Sequence, residues 1–133
     1  AILALGTRVG AALKVADHLL KDNLMITVAD ARFAKPIDTQ LLEKLWNEHQ
    51  KLIIIEEGSA GGFSSHCLHF LSSKDLLNKH DKEIKCLTMP DNFQDHASQK
   101  EQLARAGLDT DGLMKVVSKM ISLSNLKNKS ITN

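Results

Sequence analysis

Apolar and polar positions along the chain alternate in a way that names most of its elements. Ala1–Leu5 is an uninterrupted apolar run followed by Gly6-Thr7, and it reads as a buried strand ending in a turn. Val9, Ala12, Leu13, Ala16 and Leu20 then recur at helical spacing, while Lys14, Asp17 and Lys21 fall on the other side, so the reading is an amphipathic helix that stops near Asp22-Asn23. Leu24–Ala29 predicts a second strand, and Pro36 interrupts the loop after it. Asp38 stands where an N-cap would precede a helix bearing Leu41, Leu42, Leu45 and Trp46. A third strand is expected at Lys51–Ile55, then a glycine-rich stretch, then a helix with Phe63, Cys67, Phe70 and Leu71 inward.

Ile84–Met89 predicts a fourth strand, closed by Pro90. Ser98 and Glu101 have capping-box spacing, so a short helix should begin there and stop at Gly107. Asp109 or Thr110 should start a last helix with Leu113, Val116, Val117, Met120 and Ile121 as its apolar stripe. Residues 122–133 are polar and aperiodic and are expected to fray as a tail beyond a domain of residues 1–121. Repeated strand-then-helix units imply an α/β fold, a three-layer α/β/α sandwich around a mostly parallel sheet.

Length and composition narrow this further. A chain of 133 residues is one domain, and 43% apolar with 25% charged residues is ordinary for a globular protein. Aromatics are 4%, so the core must be aliphatic. The net charge of +1, with Lys and Arg interleaved among acids, argues against a nucleic-acid surface. No apolar run approaches the ~20 residues of a membrane helix, and no basic leader opens the chain. Cys67 and Cys86 form no CxxC pair and read as reduced, buried hydrophobes of a cytoplasmic protein. An apolar strand already under way at Ala1 leads us to expect a chain taken from a longer polypeptide.

In open α/β sheets the chemistry gathers at the C-terminal ends of the strands. Four segments land there: Gly6-Thr7-Arg8, Asp30 to Asp38, Glu56 to Ser65, and Pro90 to His96. The glycine-rich turn Gly58-Ser59-Ala60-Gly61-Gly62 could cradle phosphate at the start of the Phe63 helix. It matches neither GxGxxG nor GxxxxGK[ST], and Glu56 and Glu57 would repel an anion, so tight packing is the better reading. On a strand Glu56 and Glu57 point to opposite faces, so one should turn inward towards Arg or backbone N–H groups while the other meets a neighbour. A single catalytic carboxylate, paired with His96, stays open. His66 and His69, with Cys67 between them, lack the further ligands a metal needs. Arg32, Lys35, Asp38, Asp91, Asp95 and His96, with Phe33 and Phe93 among them, look like a surface facing another domain or subunit.

Four motifs in this order, DARFAKPID at 30–38, EEGSAGGFSSH at 56–66, PDNFQDH at 90–96 and GLD at 107–109, resemble the C-terminal domain of the 1-deoxy-D-xylulose-5-phosphate synthase family within the transketolase superfamily. The resemblance implies a parent enzyme that uses thiamine diphosphate and Mg²⁺ to condense pyruvate with glyceraldehyde 3-phosphate, releasing carbon dioxide and supplying isoprenoid, thiamine and pyridoxal synthesis. It implies a cytoplasmic homodimer, bacterial or alternatively plastidic, in which the N-terminal and central domains hold cofactor and metal. No catalytic, cofactor-binding or metal residue is then expected on this chain, which would act as a structural, dimer-supporting domain, inactive alone. Asp30, Arg32, Phe33, Lys35, Pro36, Asp38, Glu56, Glu57, Gly61, Gly62, Phe63, Pro90, Asp91, Phe93 and His96 carry over as domain or dimer contacts. Ser64 and Ala97 stand where the family tends to have Gly, and a strand that precedes Ala1 in the family is missing here. The alternatives are the C-terminal domain of a pyruvate-dehydrogenase-type β subunit, or a regulatory module binding a small anion at the glycine loop.

Overall fold

Leu52, Ile53, Ile54 and Ile55 are all buried, and successive side chains of that run serve two different cores. They belong to β3 (Lys51–Ser59), which lies beside β1 (Ile2–Ala4) near the middle of a four-stranded sheet ordered β2-β1-β3-β4. β2 is Val28–Asp30, β4 is Glu83–Met89, and every pairing is parallel, with Ile2 opposite Val28 and Ile53, and Ile54 opposite Cys86. Parallel strands need crossover connections, which the helices supply. The computed structural model describes residues 1–78 and 81–130, with side chains through Ser122.

One face of the sheet presents Ile2, Ala4, Ile53 and Ile55 to α1 (Arg8–Lys21), α4 (Gln99–Arg105) and α5 (Thr110–Ser130). The other presents Leu3, Leu52 and Ile54 to α2 (Thr39–Glu48) and α3 (Phe63–Ser73). The expected three-layer α/β/α architecture is therefore what forms, with the described sheet wholly parallel. No described helix is long and apolar enough to cross a membrane.

Local signals explain most boundaries. The Leu41 N–H donates to Asp38 Oδ1 at 3.0 Å, making Asp38 the N-cap of α2. Ser98 and Glu101 make both arms of a capping box at α4. Gly107, at φ +70°, ends α4 in a Schellman turn: the Leu108 N–H donates to Leu103 O at 2.9 Å and the Gly107 N–H to Ala104 O at 3.1 Å. Asp109 then caps α5 through the Gly112 N–H at 2.9 Å. Leu113, Val117 and Met120 are buried along α5, with Val116 and Ile121 half-buried beside them. The α5 backbone continues to Ser130, into the segment 122–133 expected to fray; residues 131–133 lie outside the described residues.

Three expectations need correction. The buried face of α1 is Arg8, Ala11, Ala12, Val15 and Leu19, whereas Leu13 and Leu20 are 51% and 57% exposed. Two stripes one residue apart both satisfy helical spacing, and the small side chains of Ala11 and Ala12 sit on the one that meets the sheet. β2 starts at Val28 rather than Leu24 because α1 closes with Asn23 in the left-handed region (φ 57°) and Leu24–Thr27 are spent returning to the sheet edge, leaving Leu24 and Met25 exposed. β3 runs four residues beyond Ile55, with its register against β4 shifting between Ile55 and Ser59, which places Glu56 and Glu57 inside an irregular strand end.

Candidate functional site at the C-terminal rim of the sheet

Between β1 and β3 the connections leave in opposite directions along the sheet, the switch point at which α/β folds open a crevice. Here the gap is bridged by side chains. The Arg8 guanidinium, in a residue only 8% exposed, donates from Nε to Glu57 Oε1 at 3.0 Å and from one terminal nitrogen to the Leu108 carbonyl at 2.6 Å. Its other terminal nitrogen donates to Thr7 Oγ1 at 3.1 Å, and the Thr7 hydroxyl donates to Glu57. Arg8 thus ties the end of β3 to the α4–α5 turn from the first residue of α1. A salt bridge of this burial is held in place by the hydrogen bonds around it rather than by Coulomb attraction alone.

Glu56 turns the other way and is 3% exposed. Its carboxylate accepts from the Phe63 N–H at 3.0 Å, the Ser64 N–H at 2.8 Å and the Ser64 hydroxyl at 2.8 Å. It caps the N-terminus of α3 from outside the helix, where the cap residue Gly62 has no side chain of its own. The glycines of the turn have a cause in this carboxylate: a Cβ on Gly58 or Gly62 would come 2.7 or 2.6 Å from Glu56 Oε2. The N–H groups a phosphate would use are occupied by the chain's own anion. The Ser64 hydroxyl supplies the third hydrogen bond.

One glutamate therefore faces backbone N–H groups and the other an arginine, as strand alternation anticipates. Both are engaged elsewhere, and no hydrogen bond joins either to His96, so the Glu–His catalytic pair is not assembled. Among the described residues no group of three or more His, Cys, Asp or Glu is placed to hold a metal ion. His66 is half-buried and His69 exposed on α3, with Cys67 turned into the core. Cys67 and Cys86 are free thiols; burial pushes Cys67 up to about 12 and raises Cys86 as well.

The remaining rim residues project outward. Asp30, Arg32, Phe33, Lys35, Pro36 and Asp38 are exposed on the loop after β2, where the Arg32 N–H donates to Asp30 Oδ1 at 2.9 Å. Pro90, Asp91, Phe93, Asp95 and His96 are exposed after β4. Phe33 is 65% exposed and Phe93 fully so. A recess of about 410 Å³ opens beside Phe93, lined by Ser59, Pro90, Asp91 and Asn92. The charged members of this set form no ion pairs with one another among the described residues, where the salt bridges are Arg8–Glu57 and Lys51–Glu83. Gly61 lies exposed in the turn and Gly62 half-buried, whereas Glu56 and Phe63 sit inside the domain and shape the rim from behind. Sequence reasoning placed Arg8 on this rim with Gly6-Thr7 but gave it no role; the signal for one was an arginine directly after a buried strand and turn, where the crevice would open.

The family model described as transketolase, C-terminal domain, matches residues 1–113. Among solved structures, one described as a split gene transketolase, inactive beta4 tetramer, superposes with a TM-score of 0.72 at 27% identity. That match covers 92% of this chain and 39% of the other, so the chain spans well under half the length of that relative.

Proposed function

Since this chain belongs to the transketolase C-terminal domain family, a family of parts of thiamine-diphosphate enzymes, we propose that it is the C-terminal domain of a 1-deoxy-D-xylulose-5-phosphate synthase. In this reading it supports the catalytic domains and a dimer of the parent, and it supplies no reacting group. The observation that carries the supporting role is the division of the rim. Both carboxylates at the switch point, Glu56 and Glu57, are spent on internal bonds, while Phe33 and Phe93 are left bare. Exposed aromatics on otherwise polar loops are what an interface buries. The two loops follow β2 and β4, the edges of the sheet, so the surface is three strand spacings wide, about 14 Å.

The glycine turn and the end of β3 do not fit thiamine diphosphate or its metal. The helix N-terminus that would receive a diphosphate holds Glu56, and the carboxylate that would reach a metal is bonded to Arg8 and Thr7. The assignment to the synthase, rather than to another member of the superfamily, rests on DARFAKPID, EEGSAGG and PDNFQDH occurring together. The split transketolase relative, a tetramer of its beta chain, supports an assembled parent.

Two measurements test this. Calorimetry should show the chain binding thiamine diphosphate with Mg²⁺ no more tightly than inorganic pyrophosphate with Mg²⁺, and a saturable heat that requires the thiamine part would refute the supporting role. The parent polypeptide should release carbon dioxide from pyruvate only when glyceraldehyde 3-phosphate is added. Release that depends instead on a lipoyl acceptor would place it with the pyruvate-dehydrogenase-type subunits.

A further inference from the structure

Beside the Arg8 bridge, on the α1 side of the sheet, an open cavity of about 380 Å³ lies between α1, α4 and the start of α5. Arg8, Lys14, Lys100 and Asp109 are the charged residues of its lining, with Thr7, Gln99 and Thr110 as the neutral polar ones. Of the charged residues three are cations and one is an acid, and Asp109 Oδ1 is already bonded to the Gly112 N–H at 2.9 Å. Arg8 is more than nine-tenths buried, and of the five N–H groups of a guanidinium its bonds to Glu57, Leu108 and Thr7 engage three. One N–H on each terminal nitrogen is therefore left over in a buried cation that lines the cavity. Lys14 and Lys100 are exposed and take part in no salt bridge among the described residues. The N-terminus of α1 adds its partial positive charge, having neither a side-chain cap nor an acidic residue in its first turn.

We infer that this cavity is a binding site for a small phosphate-bearing anion, with Arg8 as the buried anchor and Lys14 and Lys100 as the mobile clamps. A phosphate group carries more charge than a carboxylate and spreads its oxygens tetrahedrally, so it meets the two spare Arg8 N–H groups and both ammonium groups from different directions better than a planar carboxylate does. The cavity has room for a ligand larger than orthophosphate, such as a diphosphate or a sugar phosphate. This site is separate from the glycine turn, whose N–H groups Glu56 fills, and does not depend on the identity of the parent enzyme.

The test is titration of the chain with inorganic pyrophosphate, followed by calorimetry and by the amide resonances of Thr7 and Thr110. Binding with Kd below about 1 mM is expected. Lys14→Gln combined with Lys100→Gln should weaken it by roughly tenfold or more, the scale of losing charge-assisted hydrogen bonds. Lys115→Gln combined with Lys119→Gln removes the same charge from exposed positions of α5 outside the lining and should leave affinity within about twofold. Because all four lysines are exposed, unfolding does not confound the comparison, and unchanged thermal melts would verify that. Absence of binding, equal losses in both double variants, or acetate binding as tightly as pyrophosphate would each overturn the proposal.

Discussion

Replacing Glu56 is the sharpest probe of how this rim is built. Glu56→Ala removes the acceptor of three hydrogen bonds, from the Phe63 N–H, the Ser64 N–H and the Ser64 hydroxyl, at a residue 3% exposed. Each buried donor left without a partner costs about 1–3 kcal/mol. The rim lies near solvent, and the space vacated beside Gly58 and Gly62 can admit water, so the lower end applies and the sum is about 3–4 kcal/mol. That is a large part of the roughly 5–15 kcal/mol holding a domain of this size. Glu56→Gln keeps one carbonyl oxygen for the two Ser64 donors but turns an amide NH₂ towards the Phe63 N–H, and it should cost less, about 2 kcal/mol. Ser64→Ala removes a single bond and should cost about 1 kcal/mol. Trp46, the single tryptophan and 2% exposed in the core that α3 shares, reports unfolding in urea. The order Ala, then Gln, then Ser64→Ala, at unchanged slope, is expected. A Glu56→Ala midpoint equivalent to less than about 0.5 kcal/mol would show that this carboxylate does not hold the helix.

Two further outcomes follow from the packing. A Cβ on Gly112 would stand 2.4–2.5 Å from the Gly107 backbone, so Gly112→Ala should destabilise the chain by 2 kcal/mol or more in the same assay, although helix propensity alone would favour Ala by about 1 kcal/mol. The Cys67 thiol is raised to about 12 by burial, so at pH 8 about one in ten thousand is thiolate and alkylation should proceed only as fast as the domain opens. The sign of its pH dependence follows: above about pH 9 the unfolded chain loses the proton while the folded one keeps it, so stability falls from pH 9 upward, and Cys67→Ala should flatten that fall.

Much of this architecture was legible before any coordinates. The apolar run of β3, the Asp38 cap, the Ser98–Glu101 box and the Gly107 stop are local signals, each decided by groups within a few residues. The buried face of α1 was misread because a helix with Leu and Val on two adjacent stripes has no local reason to prefer one; the choice is made by what the sheet presents. The start of β2 was misread because Leu24 and Met25 extend the apolar run of Ile26 and Val28 but have no sheet beside them. The two glutamates were half legible. Alternation split them to opposite sides, but their partners, Arg8 at 49 residues' separation and Ser64 across the turn, are tertiary facts. The glycine turn was read rightly as packing and only the structure shows what it packs around, a carboxylate rather than a strand.

The central claim, that the exposed rim is a contact surface braced from behind by the internal bonds of Arg8, Glu56 and Glu57, is tested most directly by Phe33→Asp with Phe93→Asp in the parent protein and in this chain. Both residues are exposed, so the chain's own urea midpoint should move by less than about 0.5 kcal/mol. Sedimentation of the parent should show its assembly weakened by tenfold or more, as for aromatic residues at the centre of an interface. Unchanged assembly with unchanged stability would contradict the account.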